Sequence, residues 1–286
     1  MATTYGNTSV PMQLRFIRAG MRTMNAISPS FTGYIALEMF CTPLRRNKPD
    51  FKSEITAPAT PVEIPFNGGY LRGNEWGTGP TVLLVHGWES NASRFRKNVQ
   101  PLVDAGFRVV AVDGPAHGDS DGRQTNYLDY GHAIHTMVEH VGGAHAVIAH
   151  SIGAASTISM LERFPDVAVS NVVLIGSPDC MDDIVYSFSR IVGLPESGLT
   201  SMKRQLVYRT GIPLERFNMH EVVKPFTQRA LVIHDEDDNI TPVSGGRAIA
   251  ANWPNATYVE TQGLGHRRIV SDQKVLQEMI AFLQDR

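Results

Sequence analysis

The chain has 286 residues, 42% hydrophobic and 19% charged, with a formal net charge of −2. That is globular composition with room for a sizeable core, and it excludes disordered and fibrous classes. The near-neutral charge leaves no basic footprint for nucleic acid, and two cysteines, Cys41 and Cys180, in no metal or C-x-x-C spacing exclude a disulfide scaffold.

Taken in chain order, residues 1–54 read as a helical extension, with helices over 12–26 and 31–40 around a break at Ser28–Ser30. The apolar stretch 14–41 is interrupted by Arg15, Arg18 and Arg22 and split by Pro29. A secretory signal or a membrane span is therefore not expected. With so few cysteines, a reducing cytoplasm is the simplest expectation. The N-x-S/T triplets at Asn7, Asn91 and Asn255 read as chance occurrences.

After a Pro-rich connector over 43–65, segments 62–66 and 70–76 read as a hairpin around Asn67-Gly68-Gly69. Apolar, β-branched runs follow at 81–86, 108–113, 146–150, 172–176, 230–234 and 257–260. Most are continuous rather than alternating, the pattern of strands buried on both faces. Helical patterns lie between them at 92–105, 125–141, 152–164, 244–253 and 272–284. The expected fold class is α/β: an open, mostly parallel sheet with helices on both faces. Right-handed crossovers then put the strand C-termini on one edge. Residues 177–224 are too long for a simple crossover. With helical pieces at 182–192 and 199–210, they read as a small cap. The organisation expected is an extension (1–54), a core (55–177 and 225–286) and an inserted cap (178–224).

The ends of the strands carry the chemistry. They are His86-Gly87-Trp88, Asp113-Gly-Pro-Ala-His-Gly118-Asp-Ser120, Ala149-His150-Ser151-Ile152-Gly153, His234-Asp-Glu-Asp-Asp238-Asn-Ile-Thr-Pro242 and Gly263-Leu-Gly265-His266. In this order, each after an expected strand, these blocks resemble the α/β-hydrolase family over about residues 62–286. The resemblance implies the α/β-hydrolase fold and a serine-esterase-like activity that needs no cofactor or metal. Ser151 would be a nucleophile on a strained strand-to-helix turn, although Ala149 departs from the first Gly of G-x-S-x-G. His266 would be its base. Three aspartates, Asp235, Asp237 and Asp238, compete as the acid. The family's acid lies four residues before a proline, which points to Asp238. By the same resemblance the oxyanion donors are the amides of Trp88 and Ile152, and Asp113 shapes a loop without being catalytic. His86, Gly87, Trp88, His150 and Met181 are the candidate substrate-binding residues.

The expected function is a carboxylesterase acting on short to medium acyl esters. Lysophospholipase, thioesterase and C–C bond hydrolase share the same triad, and a non-catalytic interaction module is the alternative of another class. Cap residues Met181, Tyr186, Phe188, Ile191, Leu194 and Leu199 line an acyl pocket or form the cap's own core. His132, His135 and His140 have a helical spacing that invites a metal, but a solvated or satisfied face explains them. The extension packs on the core or cap, or it offers a surface to a second copy in a homodimer or to a membrane, where Arg15, Arg18 and Arg22 would suit anionic headgroups.

Overall fold

A computed structural model describes residues 11–44, 48–51 and 55–285. The triplet at Asn7 and parts of the extension and connector lie outside them. In chain order the elements are α1 (Met12–Ile27), α2 (Pro29–Phe40), β1 (Thr60–Phe66), β2 (Gly69–Trp76), β3 (Thr81–Val85), α3 (Arg96–Asp104), β4 (Arg108–Val112), α4 (Tyr127–His140), β5 (Ala144–His150), α5 (Ile152–Arg163) and β6 (Val169–Ile175). They continue with α6 (Met181–Val192), α7 (Glu196–Thr210), α8 (Met219–Val222), β7 (Arg229–Asp235), α9 (Val243–Asn252), β8 (Ala256–Thr261), α10 (Gly265–Arg268) and α11 (Gln273–Gln284). The described chain divides into two compact units, residues 11–42 with 180–218 and residues 43–179 with 219–285.

The larger unit is built on an eight-stranded sheet of order β1-β2-β4-β3-β5-β6-β7-β8. The β1–β2 and β2–β4 pairs are antiparallel, and all the others are parallel. The hairpin turn places Asn67 and Gly68 at φ 47° and 77°, the left-handed pair that a two-residue turn needs. Strands β3, β5, β6 and β7 are buried almost throughout, as their unbroken apolar runs require. On one face Val82, Leu84, Ala146, Ile148, Val173 and Ile175 share a core with Val275, Met279 and Leu283 of α11. Side-chain caps fix two of the helix starts. Asn126 accepts from the N–H of Leu128 and Asp129 at α4, and Asp272 accepts from Lys274 and Val275 at α11.

One expected helix divides. Residues 92–105 form a 3₁₀ turn, Ala92–Phe95, and then α3. The N–H of Ala92 is taken by the Asp113 carboxylate and that of Ser93 by Asn91, so the first turn is tied to side chains outside the helix. Asn91 is buried in this role. On α4, His135 stacks on Phe164 at 3.8 Å and His132 meets Phe66 at 5.5 Å, so two of the three helical histidines pack against phenylalanine rings.

The smaller unit joins two segments that are far apart in sequence. Gly33 of α2 lies so close to α7 that a methyl there would come within 2.7 Å of Ser201 and of the Met202 nitrogen. Gln205 donates to the Ser30 carbonyl at 3.0 Å, Arg209 pairs with Glu38 at 2.6 Å, and Arg18 donates to the Ile191 carbonyl at 3.0 Å. Met21, Ala36, Leu37, Val185, Leu199 and Met202 form the buried centre. The extension and the cap, read separately from the sequence, thus share one core. A helix with an apolar stripe must bury it against another layer, and here each segment supplies that layer to the other. The described residues from 43 to 51 go with the larger unit, where Phe51 meets Trp76 at 5.0 Å.

Candidate active site

The sheet order reverses beside β3, which lies between β4 and β5. Val85 is paired with Ala149, so the chain leaves β3 at His86-Gly87 directly beside the point where it leaves β5 at His150-Ser151. Strand ends at such a switch point make a crevice.

Ser151 has φ 57° and ψ −126°, a conformation that costs a non-glycine residue about 1–3 kcal/mol. Its N–H is held by the Ile175 carbonyl at 2.9 Å, and α5 starts at the next residue. A methyl on Gly153 would lie 2.5 Å from the His86 carbonyl oxygen and 3.0 Å from that of Val85. Only glycine fits there. Ala149, by contrast, sits fully buried within β5, and its methyl is accommodated. The departure from G-x-S-x-G falls at the tolerant position. A methyl on Gly87 would come within 3.0 Å of the Ser151 Cβ, which places the 86–88 loop against the serine.

His266 Nδ1 lies 2.7 Å from Asp238 Oδ2, and its Nε2 lies 2.9 Å from Ser151 Oγ. An N–H on Nδ1 donating to the carboxylate leaves Nε2 free to accept from the serine hydroxyl. Asp238 also accepts from the N–H of Ile240 and Thr241, both at 2.9 Å, and from Thr241 Oγ1 at 2.8 Å. Burial pushes the Asp238 carboxyl up, but hydrogen bonding to His234, His266 and Thr241 outweighs it and holds the group well below the carboxylate range.

The other two aspartates do different work. Asp235 accepts from the N–H of Asp237, Leu264 and Gly265 and from Thr261 Oγ1. Burial raises its pKa, yet these bonds leave it below its ordinary value. Asp237 accepts from Gly263 N–H at 2.9 Å. Both fasten the loop that carries His266, in which Gly263 and Gly265 take φ 82° and 62°. Asp113 accepts from the N–H of Ala92 and Asp119, and Ser120 Oγ donates to its carbonyl.

Two side chains beside Asp238 and His266 are not singled out by the sequence motifs. Thr241 Oγ1 sits 3.1 Å from His266 Nδ1 as well as on Asp238, and His234 Nε2 meets the Thr241 carbonyl at 2.9 Å. The signal was present in Asp238-x-x-Thr241, the spacing at which a carboxylate caps its own turn.

The candidate substrate-binding residues separate. Gly87 borders the serine. Trp88 is half-buried, edge-on to His117 at 5.2 Å. The N–H groups of Trp88 and Ile152 have no protein acceptor among the described residues, and that of Ile152 lies in a first helical turn, where none exists within the helix. His86 corrects the expectation of a ligand contact. Its ring is fully buried, Nε2 accepts from Gly114 N–H at 2.8 Å, and Nδ1 meets the Gly87 carbonyl at 2.8 Å. Burial and the neighbouring His117 push its pKa down to about 3. It is a neutral brace between two loops. His150 is buried as well, with Nε2 on the His266 carbonyl at 2.9 Å, and burial holds its pKa well below the histidine range. Met181 is buried at the start of α6 in the smaller unit, where its N–H donates to the Phe217 carbonyl. Of the other cap residues, Leu194 and Leu199 are buried, Phe188 meets Phe40 at 5.2 Å, and Tyr186 and Ile191 are exposed.

Comparison with known proteins agrees with this architecture. The model of the alpha/beta hydrolase family matches residues 82–278. A 2-(acetamidomethylene)succinate hydrolase of Mesorhizobium japonicum is 33% identical over 111 residues, a match spanning 38% of this chain and 40% of that relative. A bifunctional esterase/perhydrolase of Acinetobacter calcoaceticus is 22% identical over 265 residues, covering 73% of this chain and 94% of the relative. Among solved structures, a Pyrococcus furiosus esterase superposes with a TM-score of 0.65 at 18% identity, over 84% of this chain and 97% of the other.

Proposed function

This chain belongs to the alpha/beta hydrolase family, and on that premise we propose that it is a serine hydrolase that cleaves carboxylic esters through Ser151, His266 and Asp238. The observation that carries the reading is the unbroken relay from Ser151 Oγ to His266 at 2.9 Å and from His266 to Asp238 at 2.7 Å, with the serine on a strained turn. A serine hydroxyl needs such a base, and the base needs a partner that fixes its tautomer.

In this reading Ser151 Oγ attacks the acyl carbonyl carbon while His266 Nε2 takes the hydroxyl proton. The carbonyl electron pair moves onto its oxygen, which the N–H groups of Trp88 and Ile152 receive. Collapse expels the alkoxide, His266 returns the proton to it, and Ser151 carries the acyl group. Water, deprotonated by the same histidine, attacks the acyl carbon, the acyl–Oγ bond breaks, His266 returns the proton to Ser151 Oγ, and the acid is released. Asp238 stays ionised and stabilises the imidazolium at each step.

Short to medium acyl esters are the proposed substrate class. The test is labelling with a fluorophosphonate probe, followed by a p-nitrophenyl ester chain-length panel with thioesters and lysolipids added. Labelling that vanishes in Ser151→Ala, with turnover of short or medium esters, supports the reading. Absence of both labelling and turnover sinks it in favour of a non-catalytic module.

A further inference from the structure

We propose that the outer face of α1 docks on the surface of an anionic lipid bilayer. The helix is apolar on two sides. Met21 is buried, with Leu14 and Met24 half-buried on the same side, and this face serves the core of the smaller unit. On the opposite side, Met12, Phe16 and Ile27 are 72%, 71% and 82% exposed. Positions 12, 16, 20, 23 and 27 recur at helical spacing and form one stripe, with Gly20 and Thr23 between the large side chains.

This stripe belongs to a wider bias. Of the twelve large apolar side chains that are exposed among the described residues, nine lie in the smaller unit. Apolar exposure concentrated in this way marks an interaction surface.

Charge selects the partner. The α1 sequence contains Arg15, Arg18 and Arg22 and no acidic residue. Arg15 and Arg22 are exposed on one flank of the stripe and have no ion-pair partner among the described residues. Arg18 reaches inward to the Ile191 carbonyl. The segments of the smaller unit carry eight Lys and Arg against five Asp and Glu, while the rest of the chain carries 18 against 23. The excess of positive charge thus coincides with the excess of exposed apolar surface. Apolar side chains flanked by arginines suit a helix lying in the headgroup layer. A second copy fits less well, because a two-fold contact through this face would set like charges together. No helix among the described residues is long and apolar enough to cross a membrane, so the contact proposed lies along the surface.

The experiment is co-sedimentation of the full-length protein with phosphatidylcholine vesicles, with or without phosphatidylserine, alongside light scattering in solution. Wild type is expected to bind only the phosphatidylserine vesicles and to be released by salt. Arg15→Glu/Arg22→Glu is expected to bind roughly tenfold or more weakly. Phe16→Ser/Ile27→Ser, at exposed positions that leave the fold intact, is expected to lose binding as well. Ser151→Ala is expected to bind like wild type, so this proposal stands or falls apart from the catalytic one. Failure of wild type to bind phosphatidylserine vesicles overturns it, as does full binding by both double variants. A dimer in solution that Phe16→Ser/Ile27→Ser dissolves, without vesicle binding, overturns it in favour of a second copy.

Discussion

The two units treat their unusual groups in opposite ways. In the larger unit, polar and charged side chains are buried at the ends of strands and almost every one has a partner. Asp113, Asp235 and Asp238 each accept from backbone N–H groups. In the smaller unit, apolar side chains such as Phe16 and Ile27 stand exposed. Buried polarity is stable only when hydrogen-bonded, so the first arrangement is a constructed site. Exposed apolar groups cost little in the free monomer, so the second can be retained for a contact. The comparison predicts that substitutions of these buried polar groups change both activity and stability, whereas those on the outer face of α1 change neither.

The largest effects belong to the relay. Ser151→Ala is expected to lower kcat by roughly 10⁴–10⁶-fold and Asp238→Asn by roughly 10⁴-fold. Both are read in burst and steady-state ester kinetics, with circular dichroism to establish folding. Loss of less than tenfold in Asp238→Asn would return Asp235 or Asp237 to contention.

Next comes the elbow. Gly153→Ala drives a methyl into the His86 carbonyl, so a stability loss of about 1–3 kcal/mol and a marked loss of activity are expected. Ala149→Gly, at the position where the motif is imperfect, should cost about 1 kcal/mol or less and leave turnover intact. Equal effects in urea denaturation would show that the two positions are not asymmetric.

The pH dependence of stability follows from the buried groups. His86, held at about 3, and His150, held well below its ordinary range, stay neutral when folded but take up protons in the unfolded chain below roughly pH 6.5. Stability therefore falls as pH drops through that window. Asp113, raised to about 6 by burial, opposes this. Between roughly pH 6 and pH 4 it binds a proton that the unfolded chain releases. Two histidines outweigh one carboxylate, so the net effect is a loss of stability as pH falls. Below pH 4, protonation of Asp238 in the unfolded chain deepens the loss. A Tm that rises from pH 7 to pH 5 would contradict this balance.

The smallest effect belongs to the outer face of α1 and is read against the buried face of the same helix. Met21→Ala, on the buried side, should destabilise by about 2–4 kcal/mol. Phe16→Ser, on the outer side, should stay within about 0.5 kcal/mol. The difference in Tm between the two variants measures how separate the faces are.

Much of the fold and of the site was legible in the chain itself. Continuous apolar runs marked the strands, because a strand buried on both faces has no polar alternation to display. Glycines around Ser151 and His266 marked tight turns, because only small residues fit where backbones approach. Chain order placed Ser151, Asp238 and His266 in one family pattern. What depended on three-dimensional packing was different in kind. That Gly153 is indispensable and Ala149 tolerable depends on the carbonyls of Val85 and His86, which a neighbouring strand supplies. That Asp235 and Asp237 fasten a loop while Asp238 reaches His266 depends on orientations three residues apart, which spacing alone does not resolve. The brace made by His86 depends on Gly114, far along the chain. Which of the two expected partners, core or cap, residues 11–42 pack against is open in the sequence for the same reason, and they pack with 180–218. Helix periodicity reports that a face is apolar, and only tertiary packing decides which partner covers it.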